Sequence, residues 1–404
     1  MKQAPKRALS VVLAFCLVLT MFTGLISTQA ASPFPDLSTS HWAYDVIVGM
    51  YNMGFVKGDN KGNVKPESYV TTTEFMALIN RMFGLYLTTS TNYADTAGHW
   101  GNNENVFSYA AAQGYIIAES GNKIQPDAYL TREKAFALIA RYLGLDEINY
   151  GGFTDSNSMS AAYRGLINAA SVLGIAEGYP DGSFKPQQYL RRSEAMKILY
   201  YMVGGNIISG SSTGVYNSSA SKSQISAAIT GRNAVLSNST LRGTVYVSEG
   251  ATNGTVTISN SSIGKLVVRA SNVTINLQNS TVTEIETYAS GGGNITINAA
   301  GTSSVGSVTA KTPTALADTT TNGSAFAKVT VLMPMTLSLT GTFPSVTVES
   351  TAAKTKITGK GTINYISVKA SGVTTETLPV RYDIAKGLTA VFAGVTYSGS
   401  GTTS

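Results

Sequence analysis

Apolar positions along this chain keep two rhythms, and the change comes near residue 204. Before it, apolar residues recur at three- and four-residue steps, as in Val46, Ile47, Met50 and Met53, and again in Phe75, Leu78, Ile79 and Met82. That spacing lines one face of a helix. After it come short segments such as TVYVS, TVTIS, KLVVRA, VTINL, NITIN, KVTVL, TLSLT and SVTVES, where Val, Thr and Ile alternate between clusters of Gly, Asn and Ser. These read as strands throughout. The pattern predicts a helical half followed by an all-β half.

The helical half repeats itself. Glycine recurs at Gly54, Gly114 and Gly174 and at Gly84, Gly144 and Gly204, and proline at Pro66, Pro126 and Pro186, each sixty residues apart. One supersecondary unit has been copied three times, and units this small bury their apolar faces against one another. Each copy opens on an aromatic-x-Asp triplet: Phe34-Pro35-Asp36, Tyr93-Ala94-Asp95, Phe153-Thr154-Asp155. In the first two, His41-Trp42 and His99-Trp100 follow. Gly54, Gly114 and Gly174 fit the residue just past a first helix, where a left-handed backbone costs least without a side chain. The turn-rich stretches KGDNKGNVKP, AESGNKIQP and EGYPDGSFKP come next. A second helix then starts, in the first copy, on Thr71-Thr72-Thr73-Glu74, a capping box.

A weaker repeat runs through the strands. NSTL, NSSI, NSTV, TSSV, GSAF, GTF and GTI place Leu241, Ile263, Val282, Val305, Phe326, Phe343 and Ile363 at intervals of 17 to 23 residues. A coil of about twenty residues is what a parallel β-solenoid shows, with small polar residues stacked at its corners. Asn238, Asn260 and Asn279 suggest an asparagine ladder. A β-sandwich is the competing architecture. The recurring Asn/Gly-Ser/Thr-apolar signal favours the solenoid, with about seven turns and a length of some 34 Å.

Composition sharpens the division. Residues 31 to 204 hold both tryptophans, both histidines, and 13 basic against 16 acidic side chains. From 205 onward there are 13 basic and 7 acidic side chains and no Trp, His or Cys. This mild, unclustered positive charge suits solubility or anionic polymers rather than nucleic acid. At the start, Lys2, Lys6 and Arg7 precede an apolar run to about Ile26 and Ser27-Thr28-Gln29-Ala30, read as a secretory signal peptide cleaved after Ala30. Cys16 follows Phe15, so no lipid anchor is expected, and neither is a retained membrane segment. The expected units are a signal peptide (1–30), repeats at 31–87, 88–147 and 148–204, a Ser/Gly-rich linker (205–230), a β-solenoid-like domain (231–380) and a cap or tail (381–404).

The order Phe-x-Asp, His-Trp-Ala, Gly, GYPDGSFKP and a Thr-Arg-Ala-Glu-like helix start resembles the S-layer homology repeat, over essentially all of residues 32 to 204. The resemblance implies an all-α pseudo-threefold trimer bundle whose grooves take sugars. It implies non-covalent attachment to secondary cell-wall polysaccharide, often pyruvylated, on a Gram-positive envelope. An arginine at the first helical position would lie beside unpaired N–H groups and the positive helix end, offering a carboxylate charged and backbone donors together. Arg132 and Arg192 hold that position, and Thr72 departs from it. Lys134 stands where glutamate is expected, Arg191 where threonine caps, and Ala161 near the place of the third tryptophan. Each candidate also has a plainer reading. Trp42 and Trp100 are expected in the core first, with an edge near a groove. Asp36, Asp95 and Asp155 read as helix or turn caps before ligand contacts. Arg132 and Arg192 read either as sugar contacts or as solvated or paired arginines. His41 and His99 share one repeat position and lack a third ligand, so no metal or cofactor is expected.

After Gly204 the candidate chemistry thins out. Glu284 and Glu286 share one strand face, but a pair alone is more often a solvated face than an acid/base site. The sequence therefore reads as an exported, non-enzymatic surface protein, anchored through three repeats and displaying a β-rich module, with self-association in a surface lattice as a further possibility. The alternative is a wall-anchored polysaccharide-active enzyme or an adhesin.

Overall fold

The computed structural model describes residues 32–403 apart from 86, 173, 204, 216–225, 290 and 291. The expected signal peptide with Cys16, and Gly204, lie outside the described residues. The helical half comprises α1 (Tyr44–Asn52), α2 (Thr72–Met82), α3 (Trp100–Asn103), α4 (Val106–Ala112), α5 (Arg132–Leu143), α6 (Ala161–Val172) and α7 (Arg192–Met202). Repeat one contributes α1 and α2, repeat three α6 and α7. In repeat two the first helix is split into α3 and α4 by Asn105, whose φ of 56° breaks the helical path. Gly54, Gly114 and Gly174 do follow the first helices with φ of 79°, 72° and 70°. The Thr71 capping box is formed: Thr71 Oγ1 accepts from Glu74 N, and Glu74 Oε2 accepts from Thr71 N.

The three copies close on each other around a pseudo-threefold axis. Val70 N donates to Leu190 O, Leu190 N to Leu130 O, and Leu130 N to Val70 O, a cyclic set of backbone bonds of 2.9–3.0 Å. Val70, Leu130 and Leu190 are fully buried beneath it. Tyr69, Tyr129 and Tyr189, also sixty residues apart, cluster beside that ring with centroids 5.3–5.9 Å from one another.

The second half is a parallel β-solenoid of about nine turns, longer than the seven expected and roughly 43 Å by strand spacing. Among the described residues it has two eleven-stranded sheets and one short two-stranded sheet. The expected apolar series is one interior column: Leu241 pairs with Ile263, Ile263 with Val282, Val282 with Val305, Val305 with Phe326, and Phe343 with Ile363. Each of these side chains is buried. The corner chemistry explains the Asn-Ser pairs. Asn238, Asn260 and Asn279 have φ of 47–49°, a left-handed conformation that asparagine tolerates. The next serine, buried, ties rung to rung: Ser239 N donates to Ser261 Oγ, Ser261 N to Ser280 Oγ and Ser280 N to Ser303 Oγ, each at 3.1 Å.

The extra length comes from both ends. Ile207–Ile208, Thr213–Gly214 and Ala227–Ile229, inside the stretch read as a linker, are strands already stacked on the solenoid. At the other end Arg381–Ile384 and Ala390–Phe392 still pair in parallel. Two antiparallel strands, Val395–Tyr397 and Ser400–Thr402, then close the sheets.

The two halves are packed together. The outward column of one sheet reads Ala228, Tyr246, Val267, Glu286, Thr309, Thr330 in register. Its first three members lie in the hydrophobic core of the helical half, and the column turns polar after them. Gly250 N donates to Phe83 O, and a Cβ on Gly84 (φ 62°) would stand 2.7 Å from Gly250 Cα. The Arg269 guanidinium lies 5.0 Å over the Tyr142 ring.

Candidate functional site

Each second-helix start is built into a seam with the next repeat. The aromatic-x-Asp aspartate of one copy latches its own proline turn. Asp36 accepts from Val64 N and Lys65 N, Asp95 from Ile124 N and Gln125 N, and Asp155 from Phe184 N and Lys185 N, all at 2.7–3.0 Å. The second residue of each pair, Lys65, Gln125 or Lys185, has φ of 51–55°, so a carboxylate holds a left-handed residue ahead of proline. For Asp95, burial pushes the carboxyl up, but the two N–H donors outweigh it and hold it below the usual range. The turn-cap reading of these aspartates describes their geometry. They are latches with both oxygens engaged.

The latched turns then receive the helix starts. Thr72 N donates to Ala128 O, Arg132 N to Gln188 O and Arg192 N to Ser68 O. Thr73 N, Glu133 N and Ser193 N donate to Pro126 O, Pro186 O and Pro66 O. This corrects the expectation of unpaired N–H groups waiting for a carboxylate: two of the donors at each helix start are consumed by carbonyls of the neighbouring repeat. Anion binding there must rest on side chains.

The side chains differ from seam to seam. At the α7 seam Arg192 Nε donates to Val64 O and Nη1 to Glu74 Oε1, both at 3.0 Å, with 14% of the side chain exposed. Beside it Trp42 is 54% exposed, with Lys197 Nζ 5.1 Å from its ring. His41, stacked on Trp42, accepts Ala43 N at Nδ1 and meets Glu67 at Nε2, and Glu67 also pairs with Arg191. At the α5 seam Arg132 Nε donates to Phe184 O (2.9 Å) and Nη2 to Glu177 O (2.5 Å), its guanidinium within 4.8–5.3 Å of the Phe136, Tyr179 and Phe184 rings. Burial pulls that guanidinium below its ordinary range. Where repeats one and two have tryptophan, Ala161 follows Ser160, whose N and Oγ donate to Glu133. At the α2 seam Thr72 is buried and Trp100 is 37% exposed. His99 accepts Gly101 N at Nδ1 and meets Asp127 at Nε2.

Neither tryptophan is the core residue expected. Both are exposed on seam rims, because the adjacent histidine fastens the helix start and turns the indole outward. Among the described residues, only the α7 seam combines an exposed indole with a helix-start arginine. Lys197 and the Tyr69–Tyr129–Tyr189 cluster were missed in the sequence reading, although the sixty-residue phase of the tyrosines was there to be read.

In the solenoid, Glu284 and Glu286 are not a free acid pair. Lys265 Nζ lies 3.1 and 3.2 Å from them, and Lys311 Nζ 2.8 Å from Glu286. Burial raises the Glu286 carboxyl, but the lysines outweigh it and keep it below the usual range. No helix among the described residues is long and apolar enough to cross a membrane.

The architecture is a pseudo-threefold bundle with latched turns, joined to a parallel β-solenoid. The S-layer homology domain family matches residues 33–75 and 152–196, in the first and third repeats. The chain thus carries S-layer homology domains at these two places, and it belongs to the cell surface and wall. It is 30% identical over 198 residues to an amylopullulanase of Thermoanaerobacterium thermosulfurigenes, covering 46% of this chain and 10% of that one. It is 25% identical over 207 residues to an endoglucanase of Bacillus sp. (strain KSM-635), covering 48% and 22%. It is 25% identical over 195 residues to an S-layer protein of Bacillus thuringiensis subsp. finitimus, covering 46% and 24%. The chain thus spans less than a quarter of the length of these relatives.

Proposed function

We propose that this protein anchors itself non-covalently to secondary cell-wall polysaccharide through its repeat seams and displays the solenoid as a structural, S-layer or S-layer-associated module. The α7 seam carries the reading. An exposed indole gives a face for a sugar ring. Arg192, with one guanidinium nitrogen uncommitted among the described residues, and Lys197 give charge-assisted donors for an acidic substituent such as a pyruvyl ketal. Lattice formation with further copies is consistent with S-layer proteins among the relatives.

The glucanase and amylopullulanase relatives keep the enzymatic reading alive, and six of the seven solenoid carboxylates, all but the buried Glu249, argue against it. Asp318 accepts from Thr320 N and Ala325 N, Glu349 meets Lys369, Glu376 accepts from Gly359 N, and Asp383 accepts from Ser400 Oγ. With Glu284 and Glu286 bound by lysines, these groups hold turns and rungs. A general acid needs a raised pKa, and Glu286 is shifted the other way.

Fractionation of cells producing the protein tests the anchoring. The account expects it in the wall fraction and released by guanidinium chloride or urea. Release by detergent with the membranes, or retention after chaotrope, would contradict it.

A further inference from the structure

Two of the three seams share one side-chain bond to an equivalent carbonyl, and at the third the missing donor arrives from the opposite side. Val64, Ile124 and Phe184 are equivalent residues, each with its N–H held by an aspartate latch. The Val64 carbonyl accepts from Arg192 Nε and the Phe184 carbonyl from Arg132 Nε. The Ile124 carbonyl would accept from an arginine at position 72, but Thr72 reaches only Ala128 O, at 3.4 Å. Instead Lys134 Nζ donates to Ile124 O at 3.2 Å and pairs with Glu119 Oε1 at 3.0 Å.

Lys134 is the third residue of α5, the place held by Glu74 in α2 and Glu194 in α7. Glu74 is the residue that Arg192 pairs with across its seam. The arginine–glutamate pair has therefore become a threonine–lysine pair, with the cation moved across the seam. An arginine at 72 would meet the Lys134 ammonium and compete for one carbonyl. A glutamate at 134 would meet Glu119 with no cation between them. The Lys134 side chain is 8% exposed, so either mismatch lies in a poorly solvated place where an unpaired charge is costly.

We propose that Thr72 and Lys134 are a reciprocal exchange. Lys134 is a positioning residue that closes the α2 seam in place of the helix-start arginine. Because its ammonium is directed to Glu119 and Ile124 O, this seam lacks the guanidinium that would meet an acidic sugar substituent, and it is silent in binding. This second half rests on the seam reading given above. Reversing both positions, Thr72→Arg with Lys134→Glu, restores the pair found at α7 and adds one binding seam, with Trp100 already at its rim.

The test is a two-position cycle in the full chain, with two readouts. Both tryptophans lie in the repeats, so thermal unfolding followed by indole emission reports on that half alone. Each single substitution should lower the transition by about 5 °C or more, and the double variant should recover most of that loss. Titration with a methyl hexopyranoside bearing a 4,6-pyruvate ketal should give one more site per chain in the double variant than in the parent. Additive losses, with the double variant least stable, would overturn the exchange. Recovered stability with an unchanged site number would overturn the silent-seam half. If the parent bound no ketal at all, the anchoring function would be at fault, and the thermal cycle would still decide the exchange.

Discussion

Trp42 and Arg192 divide the work of the α7 seam in a way that single variants can separate. Trp42 is exposed and Arg192 keeps one guanidinium nitrogen unengaged among the described residues, so Trp42→Ala and Arg192→Ala should each weaken polymer binding at least tenfold, the loss of about 1.5–3 kcal/mol in a charge-assisted contact or a stacked ring. Trp42→Ala should leave the unfolding temperature within a degree or two. Arg132 sits between three aromatic rings with two donors on carbonyls, so Arg132→Ala should show mainly as lost stability, of about 2–4 kcal/mol. Isothermal titration beside thermal unfolding checks both. An Arg132→Ala protein of parental stability that failed to bind would reassign the principal seam to α5. The sequence places these residues at helix starts correctly, since phase and capping patterns are local. It misplaces the tryptophans because hydropathy assigns an indole to the core, whereas the neighbouring histidine turns it to the rim. It also leaves Lys134 as an anomaly, because which carbonyl it reaches is a fact about the adjacent repeat.

At the scale of elements, latches and ladders carry the fold, and their chemistry sets its response to acid. Lys65 and backbone donors lower Asp59 to about 2, and Glu67 is held low first by His41. Groups whose folded values are depressed contribute stability above their unfolded values and lose it as pH falls through the folded ones. Indole-monitored unfolding temperatures should therefore be steady near pH 6 and fall between about pH 4.5 and pH 2. An unchanged or higher transition at pH 3 would contradict this account of Asp59 and Glu67. In the solenoid, Ser261 Oγ accepts from Ser239 N and donates to Ser259 O. Ser261→Ala orphans a buried N–H and should cost about 1–3 kcal/mol in a denaturant titration, whereas a loss below half that would mean the corner relaxes to another partner. The asparagine series was legible because a left-handed corner narrows the choice of residue. The number of turns was not, because two- and three-residue strands such as Ile207–Ile208 have no alternation to detect.

For the whole molecule, the junction makes anchor and display module one packed body rather than two joined by a tether. KLVVRA and TVYVS already carried that information, since Val267 and Tyr246 interrupt the alternation with an apolar outward residue only on rungs that meet the helices. Gly84→Ala forces a left-handed alanine against Gly250 and should lower the stability of the repeats by about 1–3 kcal/mol, measured by indole emission. Parental stability would mean the junction yields at little cost. The central claim is that this body is held to the wall by a specific polymer through its seams. The most direct measurement is co-sedimentation of the full chain with purified wall sacculi, before and after extraction of the secondary polysaccharide. The account predicts retention on intact sacculi, loss of retention after extraction, and weakened retention for Arg192→Ala. Equal retention on both preparations would contradict it.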